Sequence, residues 1–357
     1  MPERGSMAKD NPNPRSLYMY IDYLSVISSL GIVLLHSHGE FYSFEPSLRW
    51  AECVLFEIVF GAAVPCFYMI SGATLMDYRK RCSTKEYCGR RIRKTVIPFL
   101  FWSLFAACWS LKTGMITAED ITPASLVSWI LNANRNPTYW FFLPLFAIYL
   151  SIPALSLIPE KHRRAMFQYL ILTGFIFVSV LPFLCGAADI AWNSDLSAGA
   201  FGGYVLFPVA GYYIHAYNVP GKLRKLLYAA GAASFILCLA GTILLSYKEN
   251  GASLFLIGNF SPFVILYSAA VFTWFRNHRF RSAFLWNVIS CLRDTTFGVY
   301  LLHKYGLDVT VFAFHRLFGL TAFSPAYMLG GGFLTYLGCM LITKVFLKIP
   351  VLKRLVA

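Results

Sequence analysis

The chain has 357 residues, 57% of them hydrophobic and only 13% charged, with a net charge of +14. Soluble globular domains carry about 25% charged residues, so this composition excludes one and points to a protein built for the lipid bilayer. The positive balance does not imply nucleic-acid binding, because Lys and Arg sit in short loops between apolar stretches and no basic soluble domain exists to hold a nucleic acid.

Residues 1–16 are polar and broken by Pro2, Pro12 and Pro14, and read as a disordered cytosolic leader. Residues 17–357 read as a single transmembrane domain. A span needs about 20 mainly apolar residues. Ten segments qualify: 18–38, 51–77, 95–111, 138–157, 165–185, 200–217, 226–246, 257–275, 295–314 and 325–347. The expected fold is all-α, a polytopic membrane protein of about ten transmembrane helices.

Basic residues in short loops mark the cytosolic side. They collect before span one (Arg4, Lys9, Arg15) and after span two (from Arg79 to Lys94). They recur after span four (Lys161, Arg163, Arg164), span six (Lys222, Arg224, Lys225) and span eight (Arg276, Arg279, Arg281), and in the tail. The alternate loops are poorer in them. Both termini are therefore expected in the cytosol. The outer loop between spans three and four holds 123–131 (PASLVSWIL), a pattern that suits an amphipathic helix lying in the interface.

Ionisable groups inside spans are costly and usually mark a pathway, a site or a pairing. Span one carries Asp22 and His36, 14 positions apart. At 100° per residue both lie on one face, roughly 21 Å apart along the axis, with Ser25 and Ser29 on the same stripe. His38 faces elsewhere and reads as a solvent-facing loop residue. Glu57 lies about two turns inside span two from the outer side. Span nine carries Tyr300 and His303 on one face, with Lys304 and Asp308 spaced as an i,i+4 pair. The nine cysteines form no CxxC and no disulfide framework, and no cluster of metal ligands is visible, so no metal is expected.

Five segments in order resemble the acyltransferase type 3 family of integral membrane acyltransferases. They are YIDYLSVISSLGIVLLHSH (20–38), VPCFYMISGATL (64–75), RRIRKTVIPFLFWS (90–103), YWFFLPLFAIYLSIPAL (139–155) and TFGVYLLHKYGLD (296–308). The branch most similar is that of bacterial sugar O-acetyltransferases. The resemblance implies a multi-pass protein of the bacterial cytoplasmic (inner) membrane. It implies transfer of an acetyl group from cytosolic acetyl-CoA, the acyl-CoA donor, to a hydroxyl of a lipid-linked sugar or cell-surface glycan. One departure stands out: where the family carries Arg eleven positions before the histidine, this chain has Ser25. That keeps open a transferase-inactive sensing or uptake domain of the same fold. A transport protein or permease is the other alternative. Oligomeric state leaves no mark on the sequence.

Within this reading His36 is the general base, since O-acyl transfer needs a group to take the hydroxyl proton and imidazole suits the task. Apart from the resemblance, Glu57 reads in two ways: it orients the His36 ring and stabilises its cation, or it snorkels to the outer interface. Arg90, Arg91 and Arg93 suit the phosphates of coenzyme A, because guanidinium forks bind phosphate well. Asp22 is expected to pair with Arg91 or Arg93 and shape the donor entrance. Trp140, Tyr300 and His303 complete the expected substrate-binding set, Trp140 through stacking on a sugar face. His303 is also read as an interhelical hydrogen-bonding residue.

Overall fold

A computed structural model describes residues 14–38, 41–197, 203–320, 324 and 326–356, and these contain helices and no strand. The leader up to residue 13 lies outside the described residues, as do 200–202 of the sixth expected span and 325 of the tenth. The first helix, α1, covers Pro14–Ser37, so it takes in the last residues of the expected leader.

Next come α2 (Leu48–Gly61) and α3 (Ala63–Leu75), a nearly continuous rod broken at Ala62. Ser47 caps α2 by accepting the Trp50 N–H at 3.2 Å. The basic α4 (Thr84–Arg91) starts with a capping box, in which Ser83 accepts the Glu86 N–H and the Glu86 carboxylate accepts the Ser83 N–H. A π turn over Ile92–Val96 joins it to α5 (Ile97–Lys112). Its cause is Pro98. The proline ring collides with the carbonyl four residues back in a regular helix, and one wide turn relieves the clash. Pro182 follows a second π turn, Phe175–Val180, in the same way.

The amphipathic α6 (Pro123–Asn132) forms where the pattern places it, with Val127 and Leu131 exposed. Then follow α7 (Phe142–Leu155), α8 (Glu160–Gly174), α9 (Leu181–Ala187) and α10 (Leu206–Ala216). After these come α11 (Gly221–Glu249), α12 (Pro262–Asn277) and α13 (Ala283–Leu292). The chain closes with α14 (Thr296–Phe318), α15 (Gly332–Lys348) and α16 (Pro350–Val356).

Among the described residues, seven helices are long and apolar enough to cross a membrane: Tyr18–Ser37, Leu48–Lys80, Thr84–Lys112, Pro137–Leu155, Glu160–Ala187, Gly221–Glu249 and Tyr327–Lys348. The protein is thus an all-helical, multi-pass membrane protein. The other three expected spans also coincide with helices. Two of these are short, 11 residues in α10 and 16 in α12. The third, α14, is long enough but is made more polar by His303, Lys304 and Asp308.

α1 is the axle of the bundle, packing against α2, α3, α12, α14 and α15. At the cytosolic ends expected from the loop charges, Arg163 is buried rather than merely topological. Its guanidinium reaches Asp77 at 2.9 Å, the Tyr212 hydroxyl at 3.2 Å and the carbonyls of Ser156 and Ile158 at 3.1 and 2.9 Å. α3 and α10 pack in close contact through reciprocal glycines. A Cβ on Gly72 would overlap the Pro208 backbone, and one on Gly211 would overlap the Met69 backbone. Small residues are what allow helices in lipid to approach this closely.

Gly72→Val is therefore expected to lower stability by about 1–3 kcal/mol or more, because no side chain can yield. Gly89→Ala, in open space on α4, is the control and is expected to hold or raise stability. Unfolding midpoints in detergent micelles check both.

Candidate active site

The polar stripe of α1 faces α14. Asp22 Oδ2 accepts from Arg293 Nη1 at 3.1 Å, Ser29 Oγ donates to the Thr296 carbonyl at 3.4 Å, and the His36 ring lies 5.3 Å from the His303 ring. From Ser29 to His36 and from Thr296 to His303 the step is seven residues in each helix. The two helices therefore run parallel, in register. Asp22 pairs with Arg293, not with Arg91 or Arg93 as the sequence reading expects. Spacing fixed the face that Asp22 occupies but not the helix packed against it.

His36 stands in the last turn of α1. It is exposed, whereas Val33, Leu34, Ser37 and His38 around it are buried. Its exposed surface forms part of the wall of a cavity of about 280 Å³ inside the bundle. The same cavity is lined by Glu57, Trp140, Tyr42, Asn259 and Tyr267, with apolar side chains between them. The Tyr267 hydroxyl is tied to the Val59 carbonyl at 3.2 Å. Glu57 Oε2 lies 3.4 Å from His38 Nε2. Thus Glu57 shares the cavity with His36, but the imidazole nearest its carboxylate is His38, at ion-pair distance and without a hydrogen bond. His38 is only 5% exposed, in contrast to its expected place in a solvent-facing loop. It is covered by α2, with Phe56 edge-on at 6.2 Å.

A second cavity, of about 250 Å³, is lined by Arg91, Lys94, Ser71, Tyr149 and Tyr300. Ile32 lines both cavities and so forms part of the partition between them. His36 follows Ile32 by four residues, one helical turn.

Of the three arginines expected at a phosphate site, the fold turns one into this cavity. Arg91 places its guanidinium 5.5 Å from the Tyr149 ring centroid, and its Nε is buried with no hydrogen-bond partner. Arg93 is exposed and donates to the Gly89 carbonyl at 3.2 Å, and Arg90 points to the exterior. Lys94 joins Arg91 instead. The signal was available, since residues three apart share a helix face and Arg91 and Lys94 are so spaced.

Trp140 lines the first cavity and Tyr300 the second. The Tyr300 hydroxyl donates to the Thr138 carbonyl. His303 is wholly buried, and its Nδ1 lies 2.5 Å from the Tyr300 carbonyl oxygen. Lys304 and Asp308 form their i,i+4 pair at 2.6 Å.

Chemically, the arrangement offers an accessible imidazole in the wall of the first chamber, one helical turn from Ile32, which lines both chambers. One chamber carries two cations that suit an anionic ligand. The other carries a carboxylate, an amide and aromatic faces that suit a polyhydroxylated one. A family model described as an acyltransferase domain matches residues 18–344 of the chain. Searches of curated proteins and of solved structures give no match.

Because His36 is accessible while His38 and His303 are buried, diethyl pyrocarbonate is expected to modify His36 ahead of the other two in the folded protein. Peptide mass spectrometry over a time course checks the order.

Proposed function

The chain belongs to that acyltransferase family, a family of membrane acyltransferases, and we propose that it is an acyl-CoA-dependent O-acetyltransferase of a bacterial inner membrane. In this reading it has ten spans with both termini in the cytosol. Acetyl-CoA enters from the cytosol, and the acceptor is a hydroxyl of a lipid-linked or cell-surface glycan at the outer face. The parallel run of α1 and α14 supports the topology, since odd-numbered spans one and nine share a direction.

The observation that carries the reading is His36 itself, an imidazole exposed inside the bundle one turn from the partition between two cavities. The Arg91–Lys94 chamber takes the donor, its cations meeting the phosphates and its depth holding the pantetheine arm. These two cations also offer positive charge in place of the arginine that the family carries at position 25. The thioester comes to rest beside Ile32. The chamber containing Glu57, Asn259 and Trp140 takes the acceptor, with Trp140 against a sugar face and Glu57 accepting a hydrogen bond from a hydroxyl.

His36 takes the proton from the attacking hydroxyl as its oxygen adds to the thioester carbonyl. The tetrahedral intermediate then expels the coenzyme A sulfur, which takes the proton from the imidazolium. The products are an ester and free coenzyme A, with atoms and charge balanced and no external base consumed. A second reading draws on the same pair of cavities: chambers on either side of Ile32 also suit alternating access by a transporter. Acetyl-CoA turnover separates the two.

In proteoliposomes, the purified protein is expected to release coenzyme A when acetyl-CoA and an acceptor glycan are both supplied. His36→Ala is expected to lower kcat by about 100-fold or more, the usual worth of a general base. Arg91→Gln is expected to raise KM for acetyl-CoA roughly tenfold with kcat little changed, the scale of one charge-assisted hydrogen bond. Thiol release read with a chromogenic disulfide measures all three. Wild-type rates in His36→Ala would remove the proposal.

A further inference from the structure

We infer that His303 is the positioning residue that sets the tautomer of His36. The inference rests on acyl transfer at His36 for its catalytic meaning, but its structural content is independent of it. Nδ1 of His303 lies 2.5 Å from the Tyr300 carbonyl oxygen, three residues back on α14. A carbonyl only accepts, so Nδ1 carries the hydrogen. In neutral imidazole the other nitrogen then holds the lone pair. That nitrogen, Nε2, is buried and has no partner.

A buried acceptor without a donor calls for an explanation. Tyr300 does not supply the donor, because its hydroxyl is spent on the Thr138 carbonyl. Lys304 does not either: its ammonium lies against Asp308 at 2.6 Å, and none of its N–H groups reaches His303 Nε2. The His36 ring remains, 5.3 Å away between centroids and tilted by only 26°. His36 borders open cavity space, so its ring can rotate. A modest rotation places a His36 N–H on His303 Nε2. The opposite His36 nitrogen then carries its lone pair toward the acceptor chamber, where the hydroxyl arrives.

This is the orienting task that a buried carboxylate performs in a Ser-His-Asp triad, done by a neutral ring. The His36–His303 hydrogen bond persists through the cycle. When His36 takes the hydroxyl proton it becomes a donor at both nitrogens, and the bond to Nε2 is kept. When the proton passes to the departing sulfur, the original tautomer is restored. The orienting role expected of Glu57 falls to His303, since Glu57 is set against His38.

Ring-nitrogen shifts from 15N-histidine-labelled protein in nanodiscs test the inference, with His36→Ala identifying the His36 signals. Wild type is expected to show His36 as a single neutral tautomer and His303 protonated at Nδ1. His303→Leu is expected to give His36 a mixture of tautomers, to lower kcat about 100-fold, and to leave KM for acetyl-CoA unchanged. His303→Gln, whose amide oxygen can still accept, is expected to recover much of that loss. A mixed His36 tautomer in wild type would overturn the inference without any variant having to fold. So would a His36 pattern unmoved by His303→Leu. Should no donor and acceptor give turnover, the acyl-transfer reading fails while the nitrogen shifts still decide the pairing.

Discussion

The fold turns on a polar seam between two parallel helices. Bilayer interiors supply no water to satisfy polar groups, so each must find its partner within the protein. α1 answers that demand with a ladder on one face: Asp22 on Arg293, Ser29 on the Thr296 carbonyl, His36 beside His303. The first two rungs hold α1 in register with the start of α14, Arg293 lying in the short turn just before that helix. The third sets the His36 ring beside His303 on one side and open to the cavity on the other. A single helical slip of α14 would unpair Asp22 and separate the two rings together.

Around this seam, helix irregularities place the remaining chemistry. Pro98 forces the π turn at Ile92–Val96, and wide turns of this kind are frequent at functional sites. Here the turn lies within the basic segment that gives Arg91 and Lys94 to one cavity and leaves Arg90 and Arg93 outside. On the other side, the break at Ala62 separates α2, which carries Glu57, from α3, which is fixed against α10 by Gly72 and Gly211. Rigid packing of α3 thus backs one chamber while α2 walls the other. Ile32, on the helix both share, stands between.

Much of this was legible in the sequence because it depends on local pattern. Apolar stretches located the helices, the period of 3.6 put Asp22, Ser29 and His36 on one face, and i,i+4 spacing gave Lys304–Asp308. Trp140, expected to stack on a sugar face, lines the same cavity as His36. What stayed hidden depends on which helix lies against which. Arg293, the partner of Asp22, is 271 residues away in sequence. The burial of His38 depends on α2 folding back across the end of α1. Arg163 looked like one more cytosolic charge, yet it is a buried tie among several helix ends. Span lengths show the same limit: α10 and α12 are helical where expected, but at 11 and 16 residues they are shorter than the expected spans.

The central claim is that a thioester and a hydroxyl meet at His36 from opposite chambers. Cryo-electron microscopy of the protein with a non-transferable acetyl-CoA analogue tests it most directly. The account predicts phosphate density against Arg91 and Lys94, with the pantetheine arm rising past Tyr149 and Tyr300 to end beside Ile32 within reach of His36. Density for the analogue outside that cavity, or an acyl end directed away from His36, would contradict it.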